Sequence, residues 1–182
     1  MLTLYYAPGT ASLCVHQFLI ELGVEHRLEK VDTDAKQQKS PEYLKLNPGG
    51  VVPTLVVDGE PMVESSAMLM WLAEQDPQAR FVPGDGGRAR RDYLQWFLLL
   101  ANGLQPPFRA WFYPEEPAGE SATDAVKASA RLRIEGMWDR VNAHLEQNGP
   151  YVCGAQLTAA DFFLFMLCRW SRNMPKPATE WP

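Results

Sequence analysis

Residues 51–74 read VVPTLVVDGEPMVESSAMLMWLAE, and this stretch decides how the rest of the chain is expected to fold. An apolar run over 54–57 is followed by an Asp58-Gly59 pair and a second short apolar run. An Asp-Gly pair between two such runs is typical of a tight β-hairpin. Apolar residues at helical spacing follow Ser65, which predicts a helix capped by that serine. The stretch therefore needs further strands to complete a sheet.

The residues before this stretch supply those strands. Residues 2–6, LTLYY, are apolar and aromatic and stop at an Ala-Pro-Gly turn, which predicts a strand. A helix is expected from Ser12, its candidate N-cap, to a stop at Gly23, and residues 27–31 are typical of a short edge strand. A Ser-Pro-Glu signature predicts another helix, so the order is β-α-β-α-β-β-α. This order predicts a small mixed sheet with helices on both faces.

The chain changes character after this α/β region. We expect a first domain over 1–76, a linker rich in proline and glycine over 77–87, and an all-helical domain over 88–182. A helix predicted over 90–111 is apolar on nearly all sides and is interrupted by a Pro-Pro pair. Such a helix is buried on more than one face, against its own domain and a second subunit, which predicts a homodimer.

Composition excludes several classes of protein. The net charge is −5 with no basic cluster, so nucleic acid is not an expected partner. No signal peptide or membrane-spanning run is recognised, which predicts a cytoplasmic protein without a membrane partner. The three cysteines, Cys14, Cys153 and Cys168, are far apart and indicate reduced thiols. Neither they nor the three histidines have metal-ligand spacing, so no metal is expected.

Two features of residues 51–74 suit a ligand. Val52-Pro53 is a candidate cis bond, which would leave the N–H and C=O of Val52 available to an extended peptide. An ordinary proline that opens an edge strand is the alternative. Glu64 and Ser65 begin a helix, where a carboxylate binds the free N–H groups and Glu64 suits an ammonium group. Together they match a zwitterionic amino-acid head group, although for Ser65 alone a plain N-cap is the favoured explanation.

These motifs, followed by a helical domain with a Thr-x-x-Asp box, resemble the cytosolic glutathione S-transferases. Residues 5–12, YYAPGTAS, and 157–161, LTAAD, look most like the bacterial beta class. The resemblance covers essentially the whole chain. It implies a thioredoxin-like N-terminal domain, an all-α C-terminal domain, a homodimer and glutathione as co-substrate. It also implies an enzyme of cytoplasmic detoxification.

The resemblance assigns roles in glutathione binding to individual residues. Val52, before a cis Pro53, pairs with the cysteinyl backbone of glutathione, and the Glu64-Ser65 pair holds its γ-glutamyl end. Lys36 stands where a lysine often contacts the glycyl end. An ordinary solvated loop lysine explains Lys36 equally well.

The chemistry implied is ionisation of the glutathione thiol, whose pKa is about 8.5 when free. Ser12 at the start of the first helix and Tyr6 at the end of the adjacent strand are the candidate catalytic donors, with an N-cap and a core aromatic as the alternatives. The cysteine usual in the beta class is Ala11 here, and Cys14 points elsewhere around the helix. The usual histidine of the fourth helix is Gln105. Redox chemistry through a cysteine is therefore not expected, and conjugation rests on Ser12, is weak, or is absent.

A second, apolar electrophilic substrate is expected between the domains, against an aromatic cluster for which core packing is the alternative. The cluster consists of Phe108, Trp111, Phe112 and Tyr113. The chain ends at Pro182, before the last one or two helices usual in the family. The leading hypothesis is a glutathione transferase. A non-catalytic binding protein and a glutathione-dependent isomerase or dehalogenase are the alternatives.

Overall fold

The computed structural model describes residues 1–84 and 86–182, and these form two compact units, Met1–Arg80 and Phe81–Pro182. The division falls within the linker predicted over 77–87. One residue of that linker, Asp85, lies outside the described residues. Each unit is described separately below.

The first unit is built on a four-stranded sheet in the order β2-β1-β3-β4. The strands are β1 Leu2–Tyr6, β2 His26–Lys30, β3 Thr54–Val57 and β4 Glu60–Met62. β1 pairs with β2 in parallel and with β3 antiparallel, so the predicted mixed sheet is confirmed. The predicted Asp-Gly turn joins β3 and β4, and both of its residues have positive φ, 50° at Asp58 and 97° at Gly59.

Helices cover both faces of this sheet, also as predicted. They are α1 Ser12–Leu22, α2 Pro41–Leu46 and α3 Ser65–Gln75. Successive side chains of β1 point to opposite faces. Tyr5 meets Tyr43 of α2, with 5.9 Å between ring centroids, whereas Tyr6 lies 6.2 Å from His16 of α1. Helices α1 and α3 pack against each other, with Ser65 of α3 next to the buried Cys14 of α1.

Two of the predicted helix caps are wrong. The N-cap position of α1 is Ala11 and that of α3 is Glu64, and neither helix has a side-chain cap hydrogen bond. The two serines are the first helical residues instead. The Ser12 hydroxyl bonds the backbone of Ala7, and the Ser65 side chain is buried next to Cys14.

Apart from an isolated bridge between Tyr151 and Gly154, the regular structure described in the second unit is helical. Its α-helices are α4 Gly87–Leu99, α5 Gln105–Phe112, α6 Thr123–Asn148 and α7 Ala159–Trp170. The predicted interruption near the Pro-Pro pair is confirmed and takes the form of a π-helical turn, Leu100–Leu104. Pro106 and Pro107 lack the N–H groups that would continue a regular helix, and the N–H of Gln105 bonds the carbonyl of Leu100.

The start of α7 carries the predicted capping box. The Thr158 N–H donates to the Asp161 carboxylate over 2.8 Å, and Val152 N–H donates to the second oxygen of that carboxylate over 2.8 Å. The helix start is therefore closed by its own side chains and has a structural role. Within the ranges 1–84 and 86–182, no helix combines the length and the apolar character needed to span a bilayer.

Candidate functional site

The bend before β3 presents an unused backbone edge. The Val52-Pro53 peptide bond is cis, which confirms the candidate cis bond. Among the described residues, no hydrogen bond uses the N–H or the C=O of Val52. The β1–β3 ladder ends with Tyr5 opposite Thr54, and Ala7 and Val52 each lie two residues beyond that pair at the same end of the sheet. The free edge of Val52 therefore lies beside the end of β1.

A buried hydrogen-bond network holds this bend in place. The Val51 carbonyl accepts from the Tyr43 hydroxyl over 2.8 Å and from Asn47 Nδ2 over 2.9 Å. Thr54 Oγ1 lies 2.9 Å from the same hydroxyl and 3.2 Å from the same amide nitrogen. Asn47 Oδ1 accepts from the Gly49 N–H over 3.0 Å. Residues on both sides of Val52 are thus fixed while its own polar groups stay unused.

The sequence analysis missed this network. Asn47 was expected only as the end of a helix, and Tyr43 and Thr54 were expected only as members of their elements. The signal available was a polar triad spaced around a proline-glycine bend, and such residues are uncommon in a core unless they are hydrogen-bonded. Burial, with a contribution from Tyr5, raises the pKa of Tyr43, so its hydroxyl stays a neutral donor near neutral pH.

The lysine that contacts this bend is Lys39, and Lys36, the lysine proposed for the glycyl end of glutathione, does not contact it. Lys39 Nζ donates to the Gly49 carbonyl over 3.3 Å, and a Cβ on Gly50 (φ 59°) would lie 2.8 Å from that nitrogen. Lys36 is exposed, has a left-handed backbone (φ 56°) and begins a short 3₁₀ turn. Its side chain makes no hydrogen bond or ion pair with the described residues. It is available to a ligand but is not positioned by the protein.

The start of α3 is open. The Glu64 carbonyl accepts the first intrahelical bond, from the Met68 N–H over 2.9 Å, so the N–H groups of residues 65–67 precede the helical ladder. Glu64 is exposed and holds φ 71° and ψ 104°, a conformation that costs a non-glycine residue about 1–3 kcal/mol. Ser65 is only 5% exposed. An exposed carboxylate and unused N–H groups thus stand side by side.

The start of α1 is closed by comparison. Ser12 is 2% exposed; its hydroxyl donates to the Ala7 carbonyl over 2.9 Å and accepts from the Ala7 N–H over 3.3 Å. Thr10 Oγ1 lies 2.8 Å from Ser12 Oγ and donates to the same carbonyl over 2.8 Å. Thr10 is half-buried and was missed by the sequence analysis. Its only signal was a hydroxyl two residues before the predicted helix start.

Cys14 has no access to this site. Its side chain is fully buried, its thiol lies 3.2 Å from the Ala11 carbonyl, and burial raises its pKa to about 12. The hydrogen bond from Ser65 lowers the pKa by less than burial raises it. Burial likewise raises the pKa of Cys153 and of Cys168, each to about 11. All three cysteines are free thiols, as predicted, and none is activated.

Tyr6 contacts histidines on its face of the sheet. Its ring lies 6.2 Å from His16, and His16 lies 5.7 Å from His26. Burial, and then the neighbouring His26, lower the pKa of His16, so its imidazole is neutral near pH 7. Tyr6 is half-buried. Tyr6 is therefore not a fully buried core aromatic. Its hydroxyl makes no hydrogen bond with the described residues.

The predicted aromatic cluster divides into buried and exposed members. Phe108 is fully buried and packs against Phe112 and Trp170, with centroid distances of 6.1 and 5.8 Å. Phe112 is 46% exposed and Tyr113 is 48% exposed. Trp111 is half-buried with Lys127 Nζ 5.9 Å from its ring centroid. Phe112 and Tyr113 are the members with free surface, and Phe108 supports Phe112 from beneath.

Comparison with known proteins assigns both units of the chain to the same protein family. Residues 12–75 match the glutathione S-transferase N-terminal domain, and residues 124–182 match the glutathione S-transferase C-terminal domain. The chain is 34% identical to glutathione S-transferase GST-4.5 of Xanthomonas campestris pv. campestris, over 93% of this chain and 82% of that protein. It is 30% identical to glutathione S-transferase GstA of Escherichia coli O157:H7, over 92% of this chain and 81% of that protein.

Solved structures of glutathione transferases are similar to this chain. A glutathione transferase homologue from Sulfitobacter, with bound glutathione, superposes with a TM-score of 0.91 at 28% identity, over 100% of this chain and 88% of that one. BphK, a bacterial glutathione S-transferase solved as a ternary complex, gives a TM-score of 0.85 at 33% identity, over 99% of this chain and 88% of that one. A beta-class enzyme from Sphingomonas chungbukensis gives 0.84 at 27% identity, over 99% and 87% of the two chains.

The sheet of the first unit and the helices of the second define a thioredoxin-like domain followed by an all-helical domain, as predicted. The chain belongs to the glutathione S-transferase family. The predicted enzyme class and its co-substrate, glutathione, are confirmed at the level of this family. Among the described residues, no group of three or more histidine, cysteine or acidic side chains could hold a metal ion.

Proposed function

We propose that this chain binds glutathione along Val52 and the start of α3, lowers the pKa of its thiol, and directs the thiolate at an apolar electrophile. The observation that carries the proposal is the unused N–H and C=O of Val52, fixed by the buried network around Tyr43 and Asn47. An extended peptide that adds to such an edge gains two hydrogen bonds without rearranging the protein.

The two ends of glutathione are assigned by charge. The cysteinyl backbone pairs with Val52 next to Pro53, and the γ-glutamyl carboxylate takes the open N–H groups at Ser65. The γ-glutamyl ammonium pairs with the exposed Glu64. The glycyl carboxylate is left for Lys36, whose exposed ammonium makes a weak, salt-dependent contact.

Activation of the thiol is assigned to hydroxyl groups near the end of β1. Ser12 and Tyr6 are the groups proposed from the sequence, and neither Cys14 nor Ala11 offers a sulfur that could form a mixed disulfide there. A donor that stabilises the thiolate by about 1.4 kcal/mol over the thiol lowers its pKa by one unit. One well-placed hydroxyl is therefore enough to ionise much of the bound glutathione near neutral pH.

The electrophile is proposed to contact the aromatic residues of α5. Phe112 and Tyr113 offer exposed ring surface, whereas Trp111 and the buried Phe108 shape the surface from behind. Arg109 holds Tyr113, with its guanidinium carbon 5.0 Å from the ring centroid, and is itself fixed by a two-bond ion pair with Glu116. Rigid aromatic surface of this kind favours a flat, apolar substrate.

A homodimer is proposed from α4. Leu98 is 53% exposed on a helix whose aromatic side chains, Tyr93, Trp96 and Phe97, are buried. An exposed leucine on an otherwise core-forming helix suits a self-association surface, which agrees with the prediction from the sequence. Sedimentation equilibrium tests it, and a monomeric mass at micromolar concentration would contradict it.

The test of the proposed activity uses the whole chain. We expect retention on immobilised glutathione, turnover of a chlorinated nitroaromatic, and a bound thiol whose ultraviolet thiolate absorbance titrates below the free pKa of about 8.5. Absence of both retention and turnover would overturn the proposal. Glu64→Gln serves as the internal control, because it removes the charge that should bind the ammonium group while it keeps the side-chain size.

A non-catalytic glutathione-binding protein is the second candidate. Three observations favour it: Ala11 and Gln105 stand at the family's usual cysteine and histidine positions, and the Ser12 hydroxyl is already bonded to Ala7. The two candidates separate on one measurement. Binding of glutathione with an unperturbed thiol pKa supports the non-catalytic protein, whereas a lowered pKa supports the transferase.

A further inference from the structure

Two hydroxyl groups and one peptide unit form a compact cluster at the end of β1. The Ala7 carbonyl is 2.9 Å from Ser12 Oγ and 2.8 Å from Thr10 Oγ1, and the two hydroxyl oxygens are 2.8 Å apart. Thr10 Oγ1 also accepts from the Ser12 N–H over 3.3 Å. The two hydroxyl groups therefore have two protons to distribute over these three short oxygen–oxygen contacts.

Ser12 is the inner member of this cluster. It is 2% exposed, and its oxygen and proton both engage Ala7. A ligand sulfur that took the Ser12 proton would leave the Ala7 carbonyl with Thr10 as its only hydroxyl donor. The contacts of Ser12 therefore tie the end of β1 to the first turn of α1, which is a positioning role.

Thr10 is the outer member. It is half-buried, and its proton has two alternative acceptors, the Ala7 carbonyl and Ser12 Oγ. When Ser12 donates to Ala7, the Thr10 proton can turn to a new acceptor without leaving that carbonyl unpaired. Either hydroxyl could turn away while the other still donates to the Ala7 carbonyl, so Thr10 is distinguished by its half-buried position, against 2% exposure for Ser12.

The location of Thr10 suits a ligand held at Val52. The β1–β3 ladder ends with Tyr5 opposite Thr54, and Ala7 and Val52 each lie two residues beyond that pair at the same end of the sheet. Both hydroxyls of the cluster are anchored to Ala7. In the proposed site, the backbone of the cysteinyl residue of glutathione pairs with Val52. Its side chain then points away from the paired backbone and carries the sulfur. The cluster lies at the end of β1, and its hydroxyls differ from those of Tyr43 and Thr54, which are buried and engaged in the network that holds the bend.

We propose that Thr10 is the residue that donates a hydrogen bond to the glutathione thiolate, and that Ser12 positions Thr10 by holding Ala7. The inference rests on the glutathione site proposed above and replaces Ser12 as the direct donor. The thiol proton leaves to solvent, while Thr10 keeps its own proton and shares it with the sulfur. Ser12 then stays bonded to Ala7 throughout.

The experiment titrates the thiolate absorbance of glutathione bound to the full chain, with glutathione affinity measured separately by calorimetry. Thr10→Val keeps the shape of the side chain and removes the hydroxyl, so the bound thiol pKa is expected to rise by about one unit. Thr10→Ser restores the hydroxyl and should return the pKa to within a few tenths of a unit of the wild-type value. Thr179→Val, on an exposed threonine of the helical unit, controls for loss of a hydroxyl elsewhere.

The outcomes are distinguishable. A Thr10→Val protein that binds glutathione with the wild-type thiol pKa would overturn the inference, and so would a Ser12→Ala protein in which the whole rise is reproduced while Thr10→Val shows none. A wild-type chain that does not bind glutathione, or binds it with an unshifted thiol, would overturn the proposed function first and this inference with it. Circular dichroism melts confirm that each variant is folded before it is titrated.

Discussion

The starts of α1 and α3 differ although both helices begin with a buried serine. At α3 the serine side chain is buried next to Cys14, and the backbone N–H groups of the first turn are left open beside the exposed Glu64. At α1 the serine hydroxyl turns back to Ala7, and Thr10 covers it. One helix start is open to a charged ligand, and the other is a closed hydroxyl cluster.

Under the proposed function, this difference means that binding and activation are built independently. The open start, with Val52, needs only a rigid bend and unused polar groups, and both are present without a ligand. The closed start must exchange one internal hydrogen bond for one to sulfur. Substitutions that damage the bend should therefore abolish affinity, whereas substitutions at α1 should change the thiol pKa and leave affinity largely intact.

The largest effect is expected from Asn47→Leu. The amide holds the Val51 carbonyl, Thr54 Oγ1 and the Gly49 N–H, so its loss leaves buried polar groups unpaired. We expect the free energy of unfolding, measured by urea titration, to fall by about 2–4 kcal/mol. Glutathione affinity, measured by calorimetry, should fall by more than about tenfold because the Val52 edge is no longer fixed.

Tyr43→Phe is the graded control for this prediction. It removes the hydroxyl contacts with the Val51 carbonyl and Thr54 Oγ1 but keeps the ring that packs on Tyr5. Asn47 still donates to both of those oxygens, so a loss of about 1 kcal/mol is expected. A folded Asn47→Leu protein with wild-type affinity would show that the network does not position the binding edge.

The second prediction concerns the charge at the open helix start. Glu64→Gln should weaken glutathione binding by roughly tenfold, because the ligand ammonium loses a charge-assisted hydrogen bond. Stability should change little, since Glu64 is exposed. Glu64→Gly should weaken binding similarly and raise the free energy of unfolding by about 1 kcal/mol, because glycine adopts φ 71° without strain.

Calorimetry of both variants measures the effect of the carboxylate charge on glutathione affinity. Thermal melts measure the effect of the backbone conformation on stability. A Glu64→Gln protein that binds as tightly as wild type would remove the carboxylate from the proposed site. A Glu64→Gly protein that is less stable than Glu64→Gln would contradict the account of backbone strain.

How much of this site can be predicted from the sequence depends on how far apart in the sequence the interacting residues lie. The hairpin, the Ser40 cap and the Thr158 box were predictable because each is encoded within a few neighbouring residues. The caps at Ser12 and Ser65 were predicted wrongly, because a serine before an apolar helical pattern carries the same local signal whichever acceptor captures its hydroxyl.

The network around Val51 shows the same limit. Tyr43 is 8 residues and Asn47 is 4 residues from the carbonyl that they share. No periodicity relates these positions, and only the fold brings them together. The Val52-Pro53 and Glu64-Ser65 motifs were nevertheless identified, because they combine backbone chemistry with a charge that a soluble protein has no structural need to place there.

The third prediction concerns the thiol that joins the two helix starts. Burial raises the pKa of Cys14 to about 12 from an ordinary value of 9.0. The folded state therefore binds a proton that the unfolded state releases as the pH rises above about 9, so this thiol lowers the free energy of unfolding progressively between about pH 9 and pH 12. Below pH 9 it makes no pH-dependent contribution.

Cys14→Ala isolates this contribution, because other groups also titrate at alkaline pH. The variant should lose stability less steeply than wild type between pH 9 and 11 in urea titrations. At pH 7.5, mass spectrometry after treatment with oxidised glutathione should find no adduct on Cys14 in the native protein. A native adduct at this cysteine would contradict its burial and reopen redox chemistry at α1.

The smallest effect is expected from the two lysines near the bend. Lys36→Ala should weaken glutathione binding by about two- to fivefold at low salt, and this difference should shrink at high salt, because an exposed ammonium contributes only a screened contact. Lys39→Ala is the matched control: it removes the hydrogen bond to Gly49 and should cost a few tenths of a kcal/mol of stability with little effect on binding. If Lys39→Ala instead shows the larger, salt-dependent loss of affinity, the glycyl end of glutathione lies against the bend and not against the loop after β2. The open half of the site would then be narrower than proposed, with both charged ends of the ligand held close to Val52.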